Sequence, residues 1–372
     1  MSQVTRPIFL DDTGKEINET MKRVVDALHQ QNAFLSAMAR GSVNALASSW
    51  KDIHNIVREG LAAEIFHVGD QLIVPWKDVA ADKTYEVPLD IVHFGNVTLK
   101  NGSVVPAMFL QWHYCTPFGV QFDHQENEQA SESSFLSDYY YYEAYTDSEG
   151  ETRYKLLVAG GDYAVGDSIP NSKVYYHSSI KDSTGYIVNY GYNRWSHSAL
   201  RQFLNSAKGV NEWWTAQHLG DVAPEQLATK AGFMSGFDEE FLSCLKPIKV
   251  TTALNTVTDT EIGATEDTYD TFFLPSLEQI YAKPQLAGVE GEPFEYWRLA
   301  VGKTEPNGWY DANINPAYIT YALDAKTSAQ YVRLRSATRD YSYVTWYQYS
   351  TGSVYDGTAN VANRFAPVCA IC

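Results

Sequence analysis

The sequence predicts a mixed α+β protein, with helices concentrated near the N-terminus and strands dominating after Phe66. Three observations support this fold class. Apolar residues recur at alternating spacings of four and three between residues 13 and 40, which is a helical period. An Asn-Gly pair at residues 101–102 lies between two strand-like runs and is a strong hairpin signal. Short helical runs that begin with Ser or Asp are interspersed among the later strands.

Two helices are predicted at the N-terminus. The first covers residues 13–40, and its three heptads fit either a helix packed on its own domain or a short oligomerising coiled coil. The second covers residues 49–59, with Ser48 or Ser49 as its N-cap. We therefore assign residues 1–66 to a helical region that anchors or oligomerises the protein.

Strands are predicted for most of the remainder, residues 67–372, which we interpret as one ligand-binding domain. The runs 90–99 and 104–114 flank the Asn-Gly pair and should form one hairpin. The runs 139–145 and 152–158 flank an Asp- and Gly-containing turn and should form another.

Three short helices are predicted within this strand-rich part. The first covers residues 196–206, with Ser196 or Ser198 as N-cap. The other two cover residues 238–245 and 276–281.

The formal charge of −17 excludes nucleic acid and anionic membranes as favoured partners, because both require a basic surface. An apolar content of 45% is enough for a sizeable core. The first twelve residues do not resemble a secretory signal, and no run approaches the ~18 apolar residues of a membrane-spanning helix. We expect assembly in a cytoplasm without membrane insertion.

The C-terminal segment, residues 331–372, has an unusual composition. Two core-like strands, 331–337 and 364–371, enclose 26 residues of which 16 are Tyr, Ser, Thr, Asn or Asp, with no Lys and no Glu. Tyr offers a large, rigid contact surface, and Ser and Asn offer adaptable hydrogen bonds, as in antibody binding loops. This composition predicts a binding surface held by a rigid scaffold.

Several motifs together resemble a known family. They are YGYNRWSHSALRQFLNS from residue 190, FFLPSLEQIY from 272, FEYWRLA from 294, and VRLRSA with RFAPVCAI near the end. In this order they resemble the C-type-lectin-fold variable proteins of diversity-generating retroelements, from bacteriophages of gut bacteria. The likeness covers about residues 89–372. The starts RPIFLDDTGK and SWKDIHNIVREGLA look like phage structural proteins.

The resemblance implies a C-type-lectin-like domain, related to formylglycine-generating enzymes, whose C-terminal surface is rewritten at adenine-rich codons. Such codons cannot produce Trp or Gln, so Trp346 and Gln348 should be invariant, as should the interspersed positions Arg339, Ser342, Gly352, Val354, Ala359 and Arg364. The expected variable, ligand-binding residues are Thr338, Asp340, Tyr341, Tyr343, Thr345, Tyr347, Tyr349, Tyr355, Asp356, Asn360 and Asn363. A Tyr-rich segment that binds one fixed ligand, or that only packs, fits the same residues.

The resemblance further implies a non-enzymatic virion protein, trimeric, attached to phage structural proteins, that binds a protein or glycan receptor on the bacterial surface. No cofactor or metal is expected. Oligomerisation would raise the avidity of individually weak sites.

Two other functions were compared with this one. Glu305-Pro306-Asn307 matches the triplet of calcium-dependent lectins, but the usual Trp-Asn-Asp partner is missing, which favours a plain turn. Cys369 and Cys372 suggest a formylglycine-type oxidase, yet one CxxC at the chain end lacks a redox or zinc setting, which favours reduced structural thiols.

Overall fold

The structure, a computed structural model, describes residues 49–125, 140–146, 152–158, 174–176, 190–217, 222–259 and 262–372. Internal contacts divide the chain into two compact units, Met1–His67 and Val68–Cys372, one residue beyond the predicted boundary. The predicted helix over residues 13–40 lies outside the described residues.

In the first unit the predicted second helix is confirmed. Helix α1 (Trp50–Arg58) begins after Ser49, whose hydroxyl accepts a hydrogen bond from the Asp52 amide at 3.2 Å. The chain leaves the helix through Gly60, whose φ of +76° suits glycine. A single further turn, α2 (Ala62–Ile65), follows.

The second unit is built mostly from antiparallel strands, so the predicted α+β class is confirmed at this level. Its described strands are β1 (Gln71–Asp78), β2 (Lys83–Thr98), β3 (Val104–Trp112), β4 (Tyr140–Thr146), β5 (Thr152–Val158), β6 (Val174–Tyr176), β7 (Ile248–Ala253), β8 (Thr265–Asp270), β9 (Phe272–Phe273), β10 (Thr320–Ala322), β11 (Ala325–Gln330), β12 (Val332–Ala337), β13 (Val344–Gln348), β14 (Val354–Thr358) and β15 (Val368–Ile371).

The largest sheet has the order β1-β2-β3-β15-β9, so the C-terminal strand lies between elements from distant parts of the chain. Both predicted hairpins are confirmed: β2 pairs with β3 across Gly102, whose φ is +84°, and β4 pairs with β5. The core against this sheet is aromatic. Phe233 lies with its ring centroid 5.4 Å from Trp112 and 5.2 Å from Phe272.

Three helices are described in this unit. Helix α3 (Ala199–Leu204) is capped by Ser198 rather than Ser196, and α4 (Glu239–Ser243) by Asp238. Helix α5 (Glu295–Val301) was not predicted, although it lies in the FEYWRLA motif. Among the described residues, no helix is both long and apolar enough to cross a membrane.

The predicted helix over residues 276–281 is wrong. Ser276 and Gln279 do exchange a capping pair, since each side chain accepts a hydrogen bond from the other's backbone amide at 3.1 Å. The turn then stops because Tyr281 adopts a positive φ of 56° and the Ala282 amide bonds back to Leu277 at 2.8 Å.

The segment between residues 338 and 363 is not a long loop. It forms β13 and β14, which pair with β12 as a three-stranded antiparallel sheet. The predicted strand 331–337 is confirmed as β12, and the predicted strand 364–371 is shorter, beginning at Val368 as β15.

Candidate ligand-binding surface

The sheet β12-β13-β14 separates buried from accessible aromatic residues. Successive side chains of a strand point to opposite faces, so Tyr347 shares one face with its cross-strand neighbours Arg333 and Tyr355. Trp346, next in the chain, shares the other face with Asp356. Trp346 is only 1% exposed, whereas Tyr347 is half-buried.

Five tyrosines form a continuous row of rings, here called the tyrosine surface: Tyr310, Tyr331, Tyr347, Tyr349 and Tyr355. Neighbouring ring centroids are 4.9 Å apart for Tyr310 and Tyr355, 5.4 Å for Tyr355 and Tyr349, and 4.6 Å for Tyr349 and Tyr331. Tyr347 lies 5.9 Å from Tyr331. Tyr310 and Tyr331 are 41% and 42% exposed, and the other three are half-buried. The row therefore presents ring surface to solvent while each ring supports the next.

A second, smaller group consists of Tyr190, Tyr341 and Tyr343. The ring centroid of Tyr343 is 4.9 Å from Tyr190 and 5.7 Å from Tyr341. Tyr341 is 39% exposed and Tyr190 is 38% exposed. Tyr341 and Tyr343 lie on the turn that joins β12 to β13, and Tyr190 packs against this turn from a distant part of the chain.

Asn193, which is fully buried, holds that turn in place. Its side-chain amide donates to the carbonyls of Tyr341 at 2.6 Å, Val344 at 2.9 Å and Thr338 at 3.2 Å. Its own oxygen accepts a hydrogen bond from Asn255 at 3.1 Å. The turn is thus fixed from beneath by backbone contacts, which do not depend on which side chains the turn carries.

Arg333 lies beneath the tyrosine surface and is 0% exposed. Its guanidinium donates to the hydroxyl of Thr345 and to the carbonyls of Val361 at 2.8 Å and Thr358 at 3.2 Å. It also lies 5.7 Å from the centre of the Tyr347 ring. Burial lowers the pKa of Arg333 to about 10, because no carboxylate compensates its charge.

Most positions that were predicted to be invariant are buried parts of this frame. Gly352 has a φ of +93°, and a Cβ at this position would lie 2.6 Å from the Asn315 carbonyl oxygen. Any residue other than glycine would therefore strain the backbone here. Arg339 is half-buried and donates to the Leu254 carbonyl at 3.0 Å. The fully buried members are Ser342, Trp346, Gln348, Val354 and Ala359.

The predicted ligand-binding residues divide into two sets. The structure places eight at the surface or half-buried beside it: Asp340, Tyr341, Tyr343, Tyr347, Tyr349, Tyr355, Asp356 and Asn360. The other three, Thr338, Thr345 and Asn363, are 2%, 0% and 4% exposed. They serve the frame instead: Thr338 donates to the Val344 carbonyl at 2.6 Å, Thr345 accepts from Arg333, and Asn363 exchanges backbone hydrogen bonds with Val120.

The hydroxyls of Tyr310, Tyr347 and Tyr349 remain protonated at neutral pH, because the pKa of each is raised above its ordinary value. Burial raises the pKa of Tyr347 to about 12, and a hydrogen bond with Tyr331 raises the pKa of Tyr349. Burial also raises the pKa of the Asp356 carboxyl and of Tyr310. The surface can therefore donate as well as accept hydrogen bonds.

Asn307 of the Glu-Pro-Asn triplet is 1% exposed and already engaged. Its amide donates to the Asn313 carbonyl at 2.7 Å, and its oxygen accepts from Lys303. Glu305, the first residue of the triplet, is exposed to solvent. The triplet therefore acts as a packed turn, and the Lys303 ammonium on the Asn307 oxygen opposes a calcium ion there.

The four cysteines carry thiols rather than disulfides, and all four are buried. Cys369 lies in β15 at 1% exposure, and burial raises its pKa. Burial also raises the pKa of Cys115 to about 12. This environment opposes the thiolate on which copper chemistry or nucleophilic attack depends.

A cavity of about 810 Å³ lies between β2, β7 and residues 288–294. Its buried charged groups support the fold. Glu290 accepts hydrogen bonds from the Ala253 amide at 3.1 Å and from Ser336 at 2.5 Å. Arg335 donates to the Leu274 carbonyl at 3.0 Å.

Sequence reasoning missed Tyr190, Tyr310 and Tyr331 as surface members. Tyr331 directly precedes β12, so its place beside the tyrosine-rich segment 338–363 follows from the sequence. Tyr190 and Tyr310 come from distant loops, and only long-range contacts bring them to the surface. Asn193 lies in the YGYN motif, but its three carbonyl partners are some 150 residues later in the sequence.

A family model described as a domain of unknown function, DUF6273, matches residues 171–371, which is more than half of the chain. The comparisons with curated proteins and with solved structures found no match.

Proposed function

The chain belongs to the DUF6273 family, whose domain includes the whole tyrosine surface, and we propose that this protein binds ligands through that surface as a receptor-binding protein of a phage virion. The observation that carries the proposal is the row of five tyrosines exposed above a buried, hydrogen-bonded frame. A row of neighbouring, partly exposed rings has little to do for folding, since Arg333 already fills the space beneath Tyr347.

The physical mechanism is recognition without chemistry. Tyrosine rings bury large areas at a small entropic cost, because each has only two side-chain torsions and the neighbouring rings already restrict them. The protonated hydroxyls and the polar groups of Asp340 and Asn360 would orient a ligand by hydrogen bonds. Binding by one copy should be weak, and several copies on one particle would raise avidity.

In its finer form the proposal is a C-type-lectin-like domain whose surface varies between copies of the gene. The separation of surface from frame supports this form, since surface substitutions usually change stability by only about 0.5 kcal/mol. The DNA flanking the gene tests it directly. The expected finding is a near-copy of the 3′ end beside a reverse-transcriptase gene, with differences confined to adenines.

Binding is tested by replacing Tyr347, Tyr349 and Tyr355, three neighbouring members of the tyrosine surface, together with alanine. The triple variant should lose capture of the host cell surface, while its melting temperature stays within a few degrees of the parent. The matched control replaces Tyr269, which is half-buried in β8 and lies outside both tyrosine groups, and should leave capture unchanged.

Two results would contradict the proposal. Unfolding of the triple variant would show that the rings belong to the core. Full retention of cell capture would show that the ligand binds elsewhere.

A further inference from the structure

A second concave site lies away from the tyrosine surface and shares no residue with it. A cavity of about 150 Å³ is enclosed by the end of β3, by α5 and by β10. Five tyrosine and tryptophan residues line it: Trp112, Tyr114, Tyr296, Trp297 and Tyr321. Cavities lined by rings together with a few fixed polar groups are typical of small-ligand sites.

The first polar group at the cavity is Gln111, which is 3% exposed. Its Oε1 accepts a hydrogen bond from the indole Nε1 of Trp297 at 2.8 Å. This contact fixes the amide orientation, because the oxygen meets a donor and the Nε2 group is left as the donor of the pair. Gln111 is thus a buried, oriented hydrogen-bonding group in an aromatic setting.

The second polar group is the pair of Asp90 and His113. Asp90 is 6% exposed, its Oδ2 lies 2.8 Å from His113 Nδ1, and its Oδ1 accepts from Gln71 at 2.8 Å. Both Asp90 and His113 line the cavity. Each carboxylate oxygen can accept a further hydrogen bond, since each has two lone pairs and one partner.

Charge decides which ligand suits this cavity. The hydrogen bond to Asp90 raises the pKa of His113, so the imidazolium can balance the carboxylate. The ammonium of Lys326 lies 5.2 Å from the centre of the Tyr114 ring. These positive groups oppose a cationic ligand, which an aromatic cage would otherwise attract. A neutral ligand with apolar faces and several hydroxyl groups fits better.

We propose that this cavity binds one neutral sugar residue, with its C–H face against the ring of Tyr296 and its hydroxyls on Gln111 and Asp90. Binding needs no calcium, because every polar contact comes from side chains already oriented by the fold. The inference does not rest on the function of the tyrosine surface.

The test is saturation-transfer NMR on the full chain in the presence of EDTA. The probes are the methyl glycosides of glucose, galactose, mannose and N-acetylglucosamine, with choline chloride as the cationic comparison. At least one glycoside should bind with a dissociation constant of about 1 mM, which is ordinary for so small a ligand. Choline should give no transfer.

Two variants locate the site. Tyr296→Leu should weaken glycoside binding about tenfold by removing a stacking face, and Gln111→Met should do the same by removing an oriented donor. Tyr310→Leu, on the tyrosine surface, is the matched control and should leave glycoside binding unchanged.

The proposal is overturned if no glycoside shows transfer, if choline binds and the sugars do not, or if Tyr296→Leu has no effect. Loss of sugar binding in Tyr310→Leu alone would assign the sugar to the tyrosine surface and would also overturn it. Because Tyr296→Leu preserves a large apolar side chain at a half-buried position, its fold should survive, and its melting temperature checks this.

Discussion

Trp346 and Tyr347 are adjacent in β13 and belong to opposite parts of the molecule. Trp346 is packed with its ring 4.9 Å from Trp309 and is nearly inaccessible. Tyr347 lies half-buried among other tyrosines. Because successive side chains of a strand point to opposite faces, Trp346 packs in the core and the next residue, Tyr347, lies at the surface. Substitutions confined to the surface face of this sheet can therefore change the ligand-binding side chains without changing the core that stabilises the fold.

The largest effect should come from the buried side of this comparison. Trp346→Ala should destabilise the second unit by about 4 kcal/mol, because it leaves a cavity between β13 and the loop that carries Trp309. Tyr349→Ala, three residues later on the surface, should cost below about 1 kcal/mol. Denaturant unfolding of both variants measures the contrast, and equal losses would mean that the two sides are not distinct.

Arg333 provides the next largest effect. Arg333→Leu should lower the free energy of unfolding by about 3 kcal/mol, because it leaves the buried carbonyls of Thr358 and Val361 without their hydrogen-bond donor. Arg298→Leu removes an arginine whose side chain is 51% exposed and which pairs with Glu295 three residues away, so the free energy of unfolding should stay almost unchanged. Urea unfolding of both variants compares them, and a stable Arg333→Leu protein would contradict the frame's dependence on this buried cation.

Two glycines with positive φ, Gly352 in the β13–β14 turn and Gly102 in the β2–β3 turn, extend the comparison to the backbone. Gly352→Ala should cost about 2 to 3 kcal/mol, since the new Cβ meets both a positive φ and the Asn315 carbonyl. Gly102→Ala has a similar φ of +84° but nothing within 4 Å of the Cβ, so about 1 kcal/mol is expected. Thermal unfolding of both variants gives the difference, which should vanish if Asn315 moves aside without cost.

The smallest effect concerns pH. The pKa of His113 is raised by Asp90, so the pair stabilises the folded chain fully below about pH 6.5, the ordinary histidine value, and loses this contribution as pH rises through the folded pKa. His113→Gln should therefore lower the melting temperature at pH 5.5 and have less effect at pH 8.5. The change should be below about 1 kcal/mol because the His113 side chain is 36% exposed. A larger loss at the higher pH would refute the assignment.

Elements that depend on local chemistry were predictable from the sequence. The Asn-Gly turn before β3 and the caps Ser49, Ser198 and Asp238 each involve residues within four positions of one another. The turn at residues 276–281 shows the limit. Its capping pair is helical, but the left-handed conformation of Tyr281 stops it, and no local signal identifies a tyrosine as a helix terminator.

The candidate surface was predictable in position but not in detail. Tyr, Ser and Thr were interpreted as loop residues, although the alternation in Val344–Gln348 also suits a strand. Thr345 and Asn363 were assigned to ligand binding because of their residue types. Thr345 is buried against Arg333, and Asn363 is buried against Val120. These partners lie 12 and 243 residues away in the chain, and no local pattern indicates them.

The most direct test of the account is a display library in which each position from Thr338 to Asn363 is substituted and protease resistance reports folding. The account predicts that the surface positions Asp340, Tyr341, Tyr349 and Tyr355 accept most residues, while Trp346, Gly352 and Ala359 accept almost none. Thr338, Thr345 and Asn363 should follow the second set. Equal tolerance at both sets, or intolerance confined to the tyrosines, would contradict the separation of a binding surface from its frame.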